Sequence, residues 1–112
     1  MIRNERDYID DILDSINRIG SFVAGMSYAS FEKDEKTVYA VIRALEIMGE
    51  AVKNISSATK KRYTDIPWKD IAGMRDILSH AYFGVKLAVI WETATVEIPP
   101  LKPKIMMVKK NL

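Results

Sequence analysis

Apolar side chains recur at steps of three and four along most of this chain, which is the period of amphipathic helices rather than of strands. Asn4 or Asp7 can cap the first helix, and Gly20 is its expected end. Residues 21–31 then read as a connector with some helical turns. The apolar face of the first helix comprises Tyr8, Ile9, Ile12, Leu13, Ile16 and Ile19.

A second helix, capped by Asp34 or a turn earlier by Ser30, shows the same period over several turns. Gly49 lies within its apolar stripe, which favours close approach to another helix. Glu50 could face a later helix and bind Arg75, or could be an ordinary solvated glutamate. The stripe consists of Val38, Val41, Ile42, Leu45, Met48, Gly49, Val52 and Ile55.

The rest of the chain continues the helical pattern, and strand-length alternation is absent. The fold class predicted is all-α, an antiparallel bundle of about five helices forming a single domain over residues 1–112. The remaining helices are expected from Ser56–Ser57 through Lys61, from Pro67 to Tyr82, from Lys86 to Ile98, and from Ile105 to Leu112, where the end could instead fray.

The fourth predicted helix carries the chemistry of the sequence. At about 100° per residue its apolar side chains form one arc, and a cation, a carboxylate, an imidazole and two hydroxyls share the opposite arc. Asp76 and His80 are four residues apart, so the carboxylate could orient the imidazole or raise its pKa. The apolar arc holds Ile71, Met74, Ile77, Leu78 and Ala81; the polar arc holds Arg75, Asp76, Ser79, His80 and Tyr82.

Composition excludes several classes of function. With 17 Lys and Arg against 15 Asp and Glu, the net charge is +2, too small for coating nucleic acid by charge alone. The absence of Cys excludes disulfide scaffolds, thiol nucleophiles and Cys-ligated metals, and a single histidine excludes a His-rich metal cluster. We therefore expect no metal and no cofactor. No apolar run suits a signal peptide or a membrane span, so a soluble cytoplasmic protein is expected.

The polar arc suits metal-free cleavage of RNA. His80 can move protons and Arg75 can stabilise the charge that develops on phosphorus, while the RNA supplies its own 2′-OH as nucleophile. The leaving 5′-oxygen also needs an acid, and one histidine per chain makes that difficult. A two-fold homodimer would bring two copies of the arc together. A merely solvated helix face is the simpler alternative on spacing alone.

Residues 73–85, Gly-Met-Arg-Asp-Ile-Leu-Ser-His-Ala-Tyr-Phe-Gly-Val, resemble the signature of HEPN-domain proteins, specifically the HepT-like toxins of MNT/HEPN toxin–antitoxin systems. The motif of those toxins is Arg, four residues, His, any residue, Tyr, which here gives Arg75, His80 and Tyr82. Residues 6–13, 41–51, 66–75 and 89–93 are similar to other segments of the family, in the same order. The chain departs from the family at Asp76, where Asn is frequent, and at Lys86, where an acidic residue is common.

The resemblance implies a dimeric helical bundle acting as a metal-independent ribonuclease toxin. Arg75 and His80 would be catalytic, with Asp76, Ser79 and Tyr82 supporting them. It also implies a nucleotidyltransferase antitoxin as partner, which would transfer AMP from ATP to Tyr82 and so block the RNA phosphate by bulk and charge.

Two other interpretations remain open. The chain could be a non-enzymatic helical module whose polar face docks a nucleotidyltransferase or a nucleotide, or a structural helical protein in which the motif is a coincidence. Of the other conspicuous residues, Trp68 and Trp91 are expected in the core rather than as base-stacking platforms, and Lys109–Lys110 as a solvated tail rather than an RNA contact.

Overall fold

The computed structural model describes residues 2–80 and 86–112, apart from the side chains of Ile77, Ser79 and His80. This part of the chain is helical and contains no strand, which confirms the all-α prediction. It also contains no helix long and apolar enough to cross a membrane. The helices are α1 (Glu5–Val23), α2 (Tyr28–Lys33), α3 (Glu35–Lys53), α4 (Ser57–Arg62), α5 (Trp68–His80), α6 (Leu87–Glu92) and α7 (Leu101–Lys110), with a π-helical turn at Thr93–Glu97.

The bundle is built around α1 and α3, and α1 also packs against α7 while α3 packs against α5. Glu5 at the start of α1 contacts Ser56, which follows the end of α3, so these two helices run in opposite directions. The predicted apolar stripes form the core between the helices. Its most deeply buried side chains include Ile9, Ile12, Ile19, Phe31, Val41, Met48, Val52, Ile105 and Val108.

Side-chain oxygens cap the helix starts, at Asp34 as predicted and also at Ser56, where a short helix was expected to begin. The carboxylate of Asp34 accepts a hydrogen bond from the backbone N–H of Thr37 at the start of α3. The Ser56 hydroxyl accepts one from the N–H of Thr59 at the start of α4. Ser30 belongs to a different cap, because it forms a reciprocal pair with Ser27 at the start of α2.

The first helix does not end at Gly20 as predicted. It continues to Val23, where the buried face of α1 is still packed, and Gly25 adopts the left-handed conformation (φ +73°) that ends the segment. The connector expected after it contains α2, whose Phe31 is fully buried against the ring of Trp91 (centroids 5.1 Å apart). The motif-bearing helix is consequently the fifth rather than the fourth.

The segment predicted as one helix from Lys86 to Ile98 begins as an α-helix and continues as a π-helix. After α6 the chain forms the π-helical turn, and the N–H of Ile98 donates to the carbonyl of Thr93 at 2.9 Å. The hydroxyl of Thr93 donates to the backbone carbonyl of Val89, and that of Thr95 donates to the carbonyl of Trp91, each four residues earlier. Hydrogen bonds of this kind distort regular helices. The last helix starts earlier than expected because Pro103 lies in its first turn, where proline loses no helical hydrogen bond.

Glu5 ties α1 to the start of α4 and gives a first testable prediction. Burial raises the pKa of this carboxylate, but hydrogen bonds from Ser56 and Thr59 outweigh that effect and lower it below its ordinary value of 4.5. The stabilisation is therefore present above pH 4.5 and is lost as the pH falls through the lowered pKa. We expect Glu5→Gln to reduce the free energy of unfolding by about 1 kcal/mol at pH 7.

Urea unfolding between pH 7 and pH 3 measures this difference, which should shrink toward the acid end because protonated Glu5 resembles glutamine. Glu35→Gln is the matched control, since Glu35 is also the first residue of its helix and is exposed. Equal losses in the two variants, or a Glu5 effect that does not vary with pH, would contradict the prediction.

Candidate active site

The orientation of α5 is determined by its buried face. Ile71 and Leu78 lie in the core, and Trp68 at the first turn is buried with its indole N–H donating to the carbonyl of Tyr63 at 2.9 Å. This burial confirms Trp68 as a packing residue, and it turns Arg75 and Asp76 toward the surface at the α3 side of the helix. Met74, predicted on the same apolar arc, is partly buried against the core.

Helices α3 and α5 are in tight contact at Gly49, which confirms the close approach predicted from its place in the apolar stripe. A side chain on Gly49 would collide with the β-carbon of Arg75 and would lie 3.0 Å from the backbone carbonyl of Ile71. The missing side chain therefore allows α5 to rest directly on α3 at the first motif residue.

The close approach brings Arg75 within reach of a carboxylate on α3. Its Nε lies 3.2 Å from Oε2 of Glu50, which confirms the ion pair considered from the sequence. Its Nη1 donates to Oδ1 of the adjacent Asp76 at 3.3 Å. The arginine side chain is about one third exposed (34%), so its guanidinium is held between two carboxylates and remains accessible from solvent.

Asp76 has a second and shorter contact, which the sequence did not predict. Nζ of Lys53, the last residue of α3, donates to the same Oδ1 at 2.7 Å. The hydrogen bond from Lys53 is the largest influence on the carboxyl of Asp76 and, together with Arg75, lowers its pKa despite partial desolvation. Asp76 is therefore ionised at neutral pH. A signal was available in the sequence, because Glu50 and Lys53 are three residues apart and share one face of α3.

A cavity of about 350 Å³ opens beside Arg75, between α1 and α3. Charges of both signs surround it, together with one tyrosine ring. Its lining comprises Arg3, Tyr8, Asp11, Arg43, Glu46, Ile47, Glu50, Ala51 and Arg75. Among the side chains that the structure describes, no group of three acidic residues is placed to hold a metal ion.

The structure thus brings together Arg75, Asp76 and Glu50 among the residues singled out from the sequence. Ser79 and His80 belong to the last turn of α5, but their side chains lie outside the described residues, as does Tyr82 altogether. The predicted contacts of Asp76 with His80 and of Arg75 with Ser79 therefore stay predictions.

Two further expectations concern residues away from the motif. Trp91 is partly buried and packs on the rings of Phe31 and Tyr28, in agreement with its predicted place in the core. Lys109 pairs with Asp10 of α1 at 2.8 Å rather than lying in a free tail, whereas Lys110 is exposed.

The known proteins that this chain resembles are described as ribonucleases, both by family and by individual relatives. Residues 12–108 match the family model described as "Ribonuclease HepT-like". The chain is 46% identical to "Probable ribonuclease HepT" of Thermococcus cleftensis over 110 residues, which covers 98% of this chain and all of that protein. It is 43% identical to a "Putative RNase" of Methanocaldococcus jannaschii over 98% of this chain and 95% of the relative. No solved structure matches the chain significantly.

The contact at Gly49 gives a second testable prediction. Gly49→Ala should lower the free energy of unfolding by about 1–3 kcal/mol, because α5 must move away from α3 to admit the methyl group. Gly20→Ala is the matched control: Gly20 is also helical, and an added methyl group there would meet nothing within 4 Å. That substitution should raise the free energy of unfolding by about 0.5–1 kcal/mol. Urea denaturation of both variants measures the two values, and a Gly49→Ala protein as stable as the wild type would refute the argument.

Proposed function

This chain belongs to the HepT-like ribonuclease family, as its motif predicted, and we propose that it is a metal-independent endoribonuclease that acts as the toxin of a toxin–antitoxin pair. Arg75 and His80 are its catalytic residues, supported by Asp76, Ser79 and Tyr82. The observation that carries this proposal is the position of Arg75. It is partly exposed and held by Glu50 on α3, five residues before the single histidine of the chain.

The proposed reaction needs proton transfer at two oxygens. The 2′-OH of the RNA attacks the adjacent phosphorus and loses its proton to one imidazole, while the bond to the 5′-oxygen breaks and that oxygen takes a proton from an acid. The products are a 2′,3′-cyclic phosphate and a free 5′-OH. Arg75 stabilises the extra negative charge on the phosphoryl oxygens during the attack.

A homodimer supplies the second proton-transfer group in this proposal. Each chain contains one histidine, and one imidazole cannot act as base and acid on opposite sides of the same phosphorus in one step. Two motif helices related by a two-fold axis would present two copies of Arg75 and His80 to one RNA strand.

Tyr82 is the proposed point of regulation. A nucleotidyltransferase antitoxin would transfer AMP from ATP to its phenolic oxygen, with pyrophosphate leaving. Tyr82 follows His80 by two residues in the sequence. In this proposal the added phosphate would therefore lie near the two catalytic side chains. Its negative charge would attract Arg75 and repel the RNA phosphate.

Cleavage by purified variants tests the nuclease proposal. Arg75→Ala and His80→Ala should each lower the rate of RNA cleavage in excess EDTA by about a hundredfold or more, because each removes transition-state stabilisation or proton transfer. Arg18→Ala is the control, since Arg18 is an exposed arginine of α1 whose partner is Asp14. Rates on total tRNA and on an mRNA are measured after circular dichroism has verified folding. Folded motif variants that cleave as fast as the wild type would rule the proposal out, and a wild type that does not cleave would favour the binding-module alternative.

Mass spectrometry tests the modification. Incubation of the wild type with the antitoxin and ATP should add the mass of one adenylyl group and abolish cleavage, and Tyr82→Phe should gain no mass. Tyr63→Phe is the control, because Tyr63 lies at the end of α4, away from the motif in sequence, and should be modified like the wild type. A mass shift that persists in Tyr82→Phe would assign the modification to another residue.

A further inference from the structure

Four charged side chains of α3 and α5 form one connected group, which we call the Arg75 charge cluster: Glu50, Lys53, Arg75 and Asp76. Asp76 is shared within it. A single oxygen, Oδ1, lies 2.7 Å from Nζ of Lys53 and 3.3 Å from Nη1 of Arg75. The two cations and two carboxylates of the cluster sum to zero charge.

Without Lys53 the three remaining charges of the cluster would oppose the binding of an anion. Arg75 would face two carboxylates by itself, and the cluster would carry a net negative charge where the phosphodiester has to approach. Glu50 and Asp76 would both compete with a phosphate for the guanidinium. Lys53 counters this effect because it makes the shorter contact to Asp76 and restores neutrality around the arginine.

The ion pair between Lys53 and Asp76 has little value for folding. The two side chains are 37% and 51% exposed, and ion pairs this exposed to solvent stabilise a fold only weakly. Its consequence lies in the electrostatics of the neighbouring arginine. The described contacts of Arg75 involve its Nε and Nη1, and its side chain is 34% exposed.

We propose that Lys53 is a positioning residue of the ribonuclease site: it binds the carboxylate of Asp76 and thereby leaves the Arg75 guanidinium available to the RNA phosphate. This inference rests on the function proposed above. Lys53 acts through Asp76, whose Oδ1 accepts a hydrogen bond from its ammonium group at 2.7 Å.

Because Lys53 is proposed to act through Asp76, a double-mutant cycle of these two residues tests the proposal directly. Lys53→Met keeps the aliphatic stem and removes the charge, while Asp76→Asn keeps the shape of the side chain and removes the carboxylate that needs neutralising. Lys53→Met should lower kcat/KM for RNA about tenfold, mainly through a higher KM, in the background that retains Asp76. In the Asp76→Asn background the same substitution should change kcat/KM less than about twofold.

The control is Lys36→Met, which removes the same charge from the first turn of α3, at the opposite end of that helix from Lys53. It should affect cleavage equally, and slightly, in both backgrounds. Thermal unfolding of all variants verifies that the fold is retained.

Two results would overturn the proposal. A Lys53→Met protein with the kcat/KM of the wild type would show that Arg75 does not need the lysine. The second result is an equal loss of kcat/KM with and without the Asp76→Asn substitution, because it would mean that Lys53 acts on the RNA directly and not through the carboxylate.

A second readout separates failure of this inference from failure of the proposed function. A 2′-O-methyl RNA oligonucleotide lacks the internal nucleophile, so its binding, followed by fluorescence anisotropy, does not require catalysis. Lys53→Met should weaken this binding about tenfold only where Asp76 is present. If the wild type does not cleave RNA, the nuclease proposal fails, and the binding cycle still decides whether Lys53 makes Arg75 available to phosphate.

Discussion

The close packing of α3 against α5 at Gly49 is the constraint on which the candidate site depends. Because residue 49 has no side chain, the β-carbon of Arg75 can rest against the backbone of α3. The neighbouring positions of α3 then supply the partners of the motif helix: Glu50 reaches the guanidinium, and Lys53, one turn further, reaches Asp76. A larger residue at position 49 would separate the helices and disturb each of these contacts together.

The molecule divides its stabilising and its functional interactions between different surfaces. Apolar side chains between α1, α3, α5 and α7 form the core and supply most of the favourable free energy of folding. The charges around Arg75 are partly exposed and contribute little to that total. In the proposed mechanism their arrangement instead determines how much positive charge Arg75 presents to the RNA phosphate.

The charges around Arg75 meet two opposing requirements, which are to hold the guanidinium in place and to keep it attractive to phosphate. An arginine at the surface needs an anchor to hold its orientation, and Glu50 provides one. Each further carboxylate near it weakens its attraction for phosphate. With Asp76 directly after Arg75 in the chain, a compensating cation on the neighbouring helix resolves this conflict, and the short contact of Lys53 with Asp76 supplies it.

The sequence by itself determined the helical class, the capping residues Asn4 and Asp34, the buried stripe with Gly49, and the family motif that carries Arg75 and His80. These features are local, since helical period, caps and motif are each encoded within a few neighbouring residues. The end of α1 at Val23, the π-helical turn and the pairing of Lys53 with Asp76 were decided only by the tertiary structure. They depend on which buried faces meet and at what register, and residues 23 positions apart come into contact only once α3 and α5 have packed.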